Sequence, residues 1–364
     1  MAWGKPKQWR KRTVDSDDEE ERREHSKEEE EQSIEHSEEE EEEEEMMEES
    51  DDEEESVGRV AYRARLLDAD SEPAAARAEI APYIEDIDSY MRYLEKLRRP
   101  TDYMPTTGEV NPSWRAILVD WLVEVADEFN FPADTLHLAV SYVDRFLSVG
   151  AIVTRELQLL GAASMLLAAK YESDEYAHKA KDYSYISNNL YTEQQVVKME
   201  ADILNKLKFE MGSPTARTFL QRYVTICPRG DVKKLEFLCS YLADLSLLDY
   251  DCTKFKPSVV AAACLFVARF TINPNSRPWN LVLQRKVGYK VSDLRCCILK
   301  IHRLQSIGTY PFLKETAVKD KYSHCELECV SAMGSPREIP EYFLKDIEDH
   351  KNTASEKWKH SRHI

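Results

Sequence analysis

The chain has 364 residues and a formal net charge of −19, a length that suits about two ordinary domains. The charge is confined to one region: 27 acidic residues against three bases lie between Asp15 and Glu55, while residues 56–364 carry 41 of each sign. A neutral body excludes a global electrostatic pull on nucleic acid or on an anionic membrane.

In chain order, Lys5, Lys7, Arg10, Lys11 and Arg12 come first. Such a basic cluster reads either as a nuclear import signal or as a solvated basic end. The expected location is the nucleus, with the cytoplasm as a second site. The acidic tract follows, with eight consecutive glutamates from Glu38 to Glu45. Like-charge repulsion and the scarcity of apolar residues leave it no core, so disorder is expected over 1–56. Ser16, Ser26, Ser37 and Ser50 are each followed closely by acids and suit an acid-directed kinase. A linker is expected over 57–78. No apolar h-region precedes a cleavage site, and no run of about 18 apolar residues could span a bilayer. All eight cysteines lie at or beyond Cys227, none in a Cys-x-x-Cys pair. They read as reduced thiols of an intracellular protein.

Residues 79–109 hold a helix from Ile80 to Arg99 and a connector. Pro82 opens the helix and Pro100 stops it, with a stripe of Ile84, Ile87, Met91 and Leu94. Tyr83, Ile87 and Tyr90 make a second stripe. Pro112 opens a helix to Phe129 in which Trp114, Ile117, Leu118, Trp121 and Val125 share one face. It is apolar nearly all round, so it is buried on most sides or sticky on one. If part of that face is exposed, its two tryptophans, Trp114 and Trp121, look like a docking surface and not only core. Pro132 opens the next helix, to Leu147. Thr154 is expected to cap a third. Thr192 and Gln195 form a capping-box pattern before Val196, Met199 and Ile203. Residues 173–183 read as a loop. After the break at Gly212, Ser213 and Pro214, further helices are expected over 214–226, 231–248, 257–270, 279–286, 291–306 and 309–321.

A repeat organises these helices. LHLAVSYVDR (136–145) lies over LEFLCSYLAD (235–244), and LGAASMLLAAKY (160–171) over VVAAACLFVARF (259–270), both at an offset of 99. Two helices agreeing on one offset predict two bundles of about one hundred residues, here 110–211 and 212–322, with a tail over 323–364. The fold class is all-α. The helices rich in small residues belong at the bundle centres, where neighbours approach closely.

The sequence carries no phosphate loop, no nucleophile elbow, no zincin motif and no kinase signature set. His324, Cys325 and Cys329 lack partners at metal-ligand spacing. No cofactor and no metal is implied. His137, between apolar residues, reads as a satisfied helix histidine. Charges inside apolar helices say more, because buried charge must be paired. Arg115, Asp120, Asp144, Arg145, Lys170 and Glu200 fit two readings. They are unrelated surface charges, or Arg115 pairs with Asp144 while Lys170 and Glu200 point together at a partner. Spacing alone slightly favours the first.

The strings WRAILVDWLVEV (114–125), TLHLAVSYVDRFLS (135–148), LQLLGAASMLLAAKYE (157–172), YTEQQVVKMEADIL (191–204) and VGYKVSDL (287–294) resemble the cyclins, most closely the A-type cyclins of plant-like character. The resemblance runs from Ile80 to Tyr322. It implies two five-helix cyclin boxes behind an N-terminal helix, and a non-catalytic activator of a cyclin-dependent Ser/Thr kinase. It implies a structural ion pair of Arg115 with Asp144, and kinase contacts at Lys170, Glu200, Phe209, Tyr83, Ile87 and Tyr90. It also implies a groove of Trp114, Ile117, Leu118, Trp121, Glu124, Leu157 and Gln158 that docks Arg-x-Leu substrates or inhibitors. Three places depart from the family pattern. Trp114 stands where methionine is usual, residues 173–183 lack paired prolines, and the degradation signal is reduced to Arg63 and Leu66 with no following Asn. The alternatives are a cyclin-fold transcription factor and a non-activating scaffold of the same shape. Against the first, no cysteine precedes Cys227 and the body is neutral.

Overall fold

The computed structural model describes residues 83–172, 178–227, 232–307 and 316–347. The basic cluster, the acidic tract, the linker and the Arg63–Leu66 signal lie outside the described residues. Among those described are twelve α-helices and no strand. They are α1 (Ile84–Leu97), α2 (Pro112–Glu128), α3 (Ala133–Val149), α4 (Leu157–Glu172), α5 (Ala180–Ile186) and α6 (Glu193–Lys206). The second half holds α7 (Ala216–Val224), α8 (Val232–Leu248), α9 (Pro257–Ile272), α10 (Leu281–Val287), α11 (Val291–Ile307) and α12 (Ala317–Lys321).

The repeat is real in three dimensions. Helices α3 and α8 both run 17 residues, and α4 and α9 both run 16. Helix α4 packs against α2, α3, α5 and α6, and α9 against α7, α8 and α11. Each is the centre of a five-helix bundle. The small residues explain this. Residues 157–169 of α4 are all buried, and a Cβ on Gly161 would lie 2.6 Å from Leu118 Cδ1. Only glycine lets α2 and α4 come this close.

Local signals start the helices. Asn111 accepts the Trp114 amide at 3.0 Å and Pro112 follows at the first turn of α2. The Thr192–Gln195 capping box closes at 2.8 and 3.3 Å. Thr154 does not cap α4. It begins a 3₁₀ turn, Thr154–Glu156, and takes the Glu109 carboxylate on its amide at 3.1 Å.

The two bundles are joined by buried polar groups. Arg115 of α2 donates to both Asp144 oxygens, at 2.7 and 2.8 Å, and to the Leu247 carbonyl of the second bundle at 2.6 Å. His137 of α3 lies 3.0 Å from Asp244 of α8, which also receives Tyr322 Oη at 3.0 Å and Lys321 Nζ at 3.3 Å. Asp120 of α2 accepts the Ala317 amide at 2.9 Å and so holds α12 against the first bundle. His137 is therefore satisfied, as the sequence suggests, but across the bundle boundary.

Three features go beyond the sequence reading. Residues 180–186 form α5, where a loop is expected, with Tyr183 and Ile186 buried. Residues 323–347 are no loose tail: Val330, Ile339, Phe343 and Leu344 are buried against the second bundle. Helix α1 docks through its charges. Glu95 accepts the Ser258 amide at 3.0 Å and its hydroxyl at 2.8 Å, at the start of α9, where a carboxylate is favoured. Arg92 reaches Val287 O at 2.6 Å and the hydroxyls of Tyr223 and Tyr289, both at 3.2 Å. Of the stripe Ile84, Ile87, Met91 and Leu94, the first two face solvent and only Met91 and Leu94 are partly covered.

Candidate functional site: an open face on the first bundle and a half-filled groove

Lys170 ends α4, and Glu200 sits on the neighbouring α6. Their side chains meet at 2.7 Å, with Lys170 45% exposed and Glu200 14%. Of the two readings left open by spacing, the structure shows the pairing: Arg115 with Asp144, and Lys170 with Glu200. The first pair is buried. Burial on its own would lower the Arg115 pKa, but the adjacent Asp144 outweighs it and holds the guanidinium charged. Tyr103 donates to Asp144 Oδ1 at 2.5 Å. Its phenol is pushed well up, first by burial and then by that carboxylate.

Beyond α6 the chain turns sharply. Lys208 and Phe209 both have left-handed backbones, φ 55° and 59°. Two such non-glycine residues in a row are costly and persist only where surroundings hold them. The support is visible. Phe209 N bonds Leu204 O at 2.9 Å, and Arg145 donates to the Glu210 carbonyl at 2.6 Å from beneath. Burial lowers the Arg145 pKa, and the like charge of Arg98 adds to this. The turn lifts Phe209 out until it is 66% exposed. Arg98, just past α1, reaches to 3.8 Å from Glu210. A Cβ on Gly212 would lie 2.5 Å from Tyr171 Oη and 3.5 Å from Arg98 Nη1. The end of α1, the end of α4 and the 208–212 turn therefore converge.

Large apolar side chains are left exposed near this junction, Leu97 on α1, Tyr171 on α4 and Phe209, and elsewhere along these elements, Tyr83 before α1, Ile87, Tyr90 and Tyr93 on it, and Val197 on α6. An exposed apolar set around a charged pair is the form of a protein interface. Arg145, Tyr171, Tyr93 and Leu97 are additions to the sequence reading. The identity of Arg145 gave a hint, since an arginine inside an apolar helix needs a partner. The partner, a carbonyl, carries no sequence signal.

The groove on α2 and α4 is shallower than expected. Leu118, Trp121, Leu157 and Gln158 are buried, Trp121 being only 4% exposed. Trp121 is floor, not wall, which corrects the expectation of an exposed side chain. An open groove would leave the Trp121 ring wet. Trp114, Ile117 and Glu124 are half-buried and form the accessible face, with Trp114 packed against the core. Among the described residues no group of three or more His, Cys, Asp or Glu could hold a metal ion. No helix among them is long and apolar enough to cross a membrane.

These features define an all-helical protein of two like bundles. The N-terminal cyclin domain matches residues 86–212 and the C-terminal cyclin domain residues 214–336. The chain belongs to the cyclin family, and its role is that of a cyclin in cell-cycle control. It is 49% identical over 272 residues to Cyclin-A3-2 of Oryza sativa subsp. japonica, covering 73% of this chain and 70% of that one. It is 46% identical over 271 residues to the G2/mitotic-specific cyclin C13-1 of Daucus carota, covering 73% and 79%. A viral cyclin from herpesvirus saimiri shares the fold, with a TM-score of 0.54 and 22% identity over 59% of this chain and 95% of that one. Its relatives are named as cyclins, regulatory proteins and not enzymes.

Proposed function

We propose that the chain binds and activates a cyclin-dependent Ser/Thr kinase through the open face of its first bundle. The observation that carries this is the Lys170–Glu200 pair, at 2.7 Å, on the helix end where Tyr171, Arg98 and the 208–212 turn meet, with Phe209 exposed. Most of the binding free energy of such a face rests on a few aromatic and charged anchors. Lys170 and Glu200 already orient each other and so lose little freedom on docking. The face is rigid, being built on packed helices. It binds one arrangement of a mobile kinase helix better than the other and shifts the kinase toward its active state.

The groove of Trp114, Ile117, Leu118, Trp121, Glu124, Leu157 and Gln158 serves as a second contact for Arg-x-Leu substrates or inhibitors. Its apolar floor takes the leucine, and the Glu124 carboxylate takes the arginine. Two contacts on one assembly raise the local substrate concentration. The Lys5–Arg12 cluster would direct the protein to the nucleus.

Reconstitution with a purified cyclin-dependent kinase tests the main reading. The wild-type chain turns on phosphorylation of a simple peptide. The Lys170→Ala, Glu200→Ala double variant loses this, at a cost of roughly 2–5 kcal/mol in binding, with an unchanged helical circular dichroism spectrum. Full activation by the double variant would refute the assignment. For the groove, a buried Trp121 makes Trp121→Ala a packing change, so Glu124→Gln is the cleaner probe. It lowers kcat/KM about tenfold for Arg-x-Leu substrates and leaves peptides without the motif unchanged. Equal losses for both would remove the groove from the account.

A further inference from the structure

The eight cysteines are not equivalent. Cys239, Cys252, Cys264 and Cys297 are buried, and burial pushes their thiols up. Cys325 and Cys329 are different. They lie on the surface turn that follows α12, and the Cys329 thiol donates to Cys325 Sγ at 3.6 Å. The backbone brings them together. Residues 325–327 form a 3₁₀ turn, Glu328 and Cys329 are left-handed at φ 57° and 48°, and Cys329 N returns to His324 O at 3.2 Å. Two accessible thiols in van der Waals contact need move only about 1.5 Å to reach disulfide bonding distance. In a reducing compartment such pairs act transiently in redox sensing.

We propose that Cys325 and Cys329 form a redox-active dithiol, closed to an intramolecular disulfide by hydroperoxides and reopened by thiol reductants. The order of steps follows from the hydrogen bond. Cys329 donates its S–H, so Cys325 is the acceptor sulfur and the first nucleophile. Cys325 gives up its proton, its thiolate attacks the terminal peroxide oxygen, the O–O bond breaks, and a sulfenic acid forms while the alkoxide (hydroxide from hydrogen peroxide) leaves and takes up that proton. Cys329 then attacks Cys325 Sγ, the S–S bond forms, the S–O bond breaks, and the Cys329 proton leaves with the hydroxide as water. Two thiols are oxidised by two electrons, and one hydroperoxide is reduced to water and the corresponding alcohol or to two waters. The hydrogen bond that Cys329 gives, with Glu328 beside it, raises the Cys329 thiol, which suits the resolving role and not the attacking one.

The location gives the bond a structural effect. Tyr322, just before the turn, holds buried Asp244. Val330, just after it, is fully buried, and Ser331 N bonds Tyr322 O at 3.1 Å. A disulfide here fastens the point where the C-terminal segment leaves α12.

The test uses the full chain, hydrogen peroxide, differential alkylation and peptide mass spectrometry, with exposed Cys296 as the internal comparison. Cys325 and Cys329 are expected to leave the free-thiol pool together and ahead of Cys296. Their peptide should lose two hydrogens, and dithiothreitol should restore it. In Cys329→Ser, sulfenic acid should accumulate on Cys325 and be trapped by dimedone. The turn is on the surface, so this variant keeps its fold, checked by circular dichroism. Oxidation of Cys325 at the pace of Cys296, or disulfides formed only between molecules, would overturn the proposal.

Discussion

The two bundles share a plan and differ in what covers them. In the first, the ends of α4 and α6 are open, with Lys170, Tyr171 and Phe209 at the surface. In the second, the C-terminal segment lies across the matching ends of α9 and α11. Phe270, the repeat partner of Tyr171, meets Phe343 with ring centroids 6.1 Å apart. Thr271 bonds Ser335 at 3.2 Å, His302 bonds the Pro336 carbonyl at 2.7 Å, and Gln305 bonds the Met333 carbonyl at 3.3 Å. Arg269, the partner of Lys170, turns to Cys227 Sγ at 3.4 Å. Duplication copied the scaffold. Among the described residues, the C-terminal segment covers the helix ends of the second bundle and leaves Lys170, Tyr171 and Phe209 of the first at the surface.

The largest expected break in this comparison is Arg115→Ala. It leaves Asp144 buried beside Tyr103 and frees the Leu247 carbonyl, so both bundles lose an anchor. The expected cost is roughly 3–5 kcal/mol, read from the urea midpoint. A change below about 1 kcal/mol would show that the pair is not a shared strut.

A smaller effect concerns Asp244. Burial would raise its pKa, but Lys321, His137 and Tyr322 together pull it below the usual carboxylate range. A depressed folded value means stability that is present above the unfolded value of about 4 and lost as pH falls toward the folded one. Resistance to thermal unfolding should therefore weaken below about pH 4. Asp244→Asn should be less stable at neutral pH and flatter through the acid range. An acid limb as steep in the variant as in the wild type would assign the loss to other carboxylates.

Much of this architecture is legible in the sequence because it rests on periodic or local signals. The small residues of α4 and α9 predict close packing at the bundle centres, and Thr192 with Gln195 predicts the start of α6. The offset of 99 predicts the duplication. What escaped is aperiodic. Helix α5 has seven residues, too short for a stripe. The C-terminal segment buries Val330, Ile339, Phe343 and Leu344 at irregular spacings, through 3₁₀ turns. Which side of α1 docks is decided by Arg92 and Glu95, whose partners in the second bundle lie 131 to 197 residues away, and no stripe states that. Of the site, residue types were readable, and the meeting of Lys170 with Glu200 across 30 positions was not. The burial of Trp121 also depends on how closely the helices around α2 pack, which no residue pattern states.

The most direct measurement is a titration of one cyclin-dependent kinase against three forms of the chain: wild type, Lys170→Ala with Glu200→Ala, and Arg269→Ala. If the open face of the first bundle does the binding, the double variant loses affinity by about 30-fold or more, while Arg269→Ala, in the covered counterpart, binds as the wild type does. Equal binding by all three, or a loss confined to Arg269→Ala, would contradict the account.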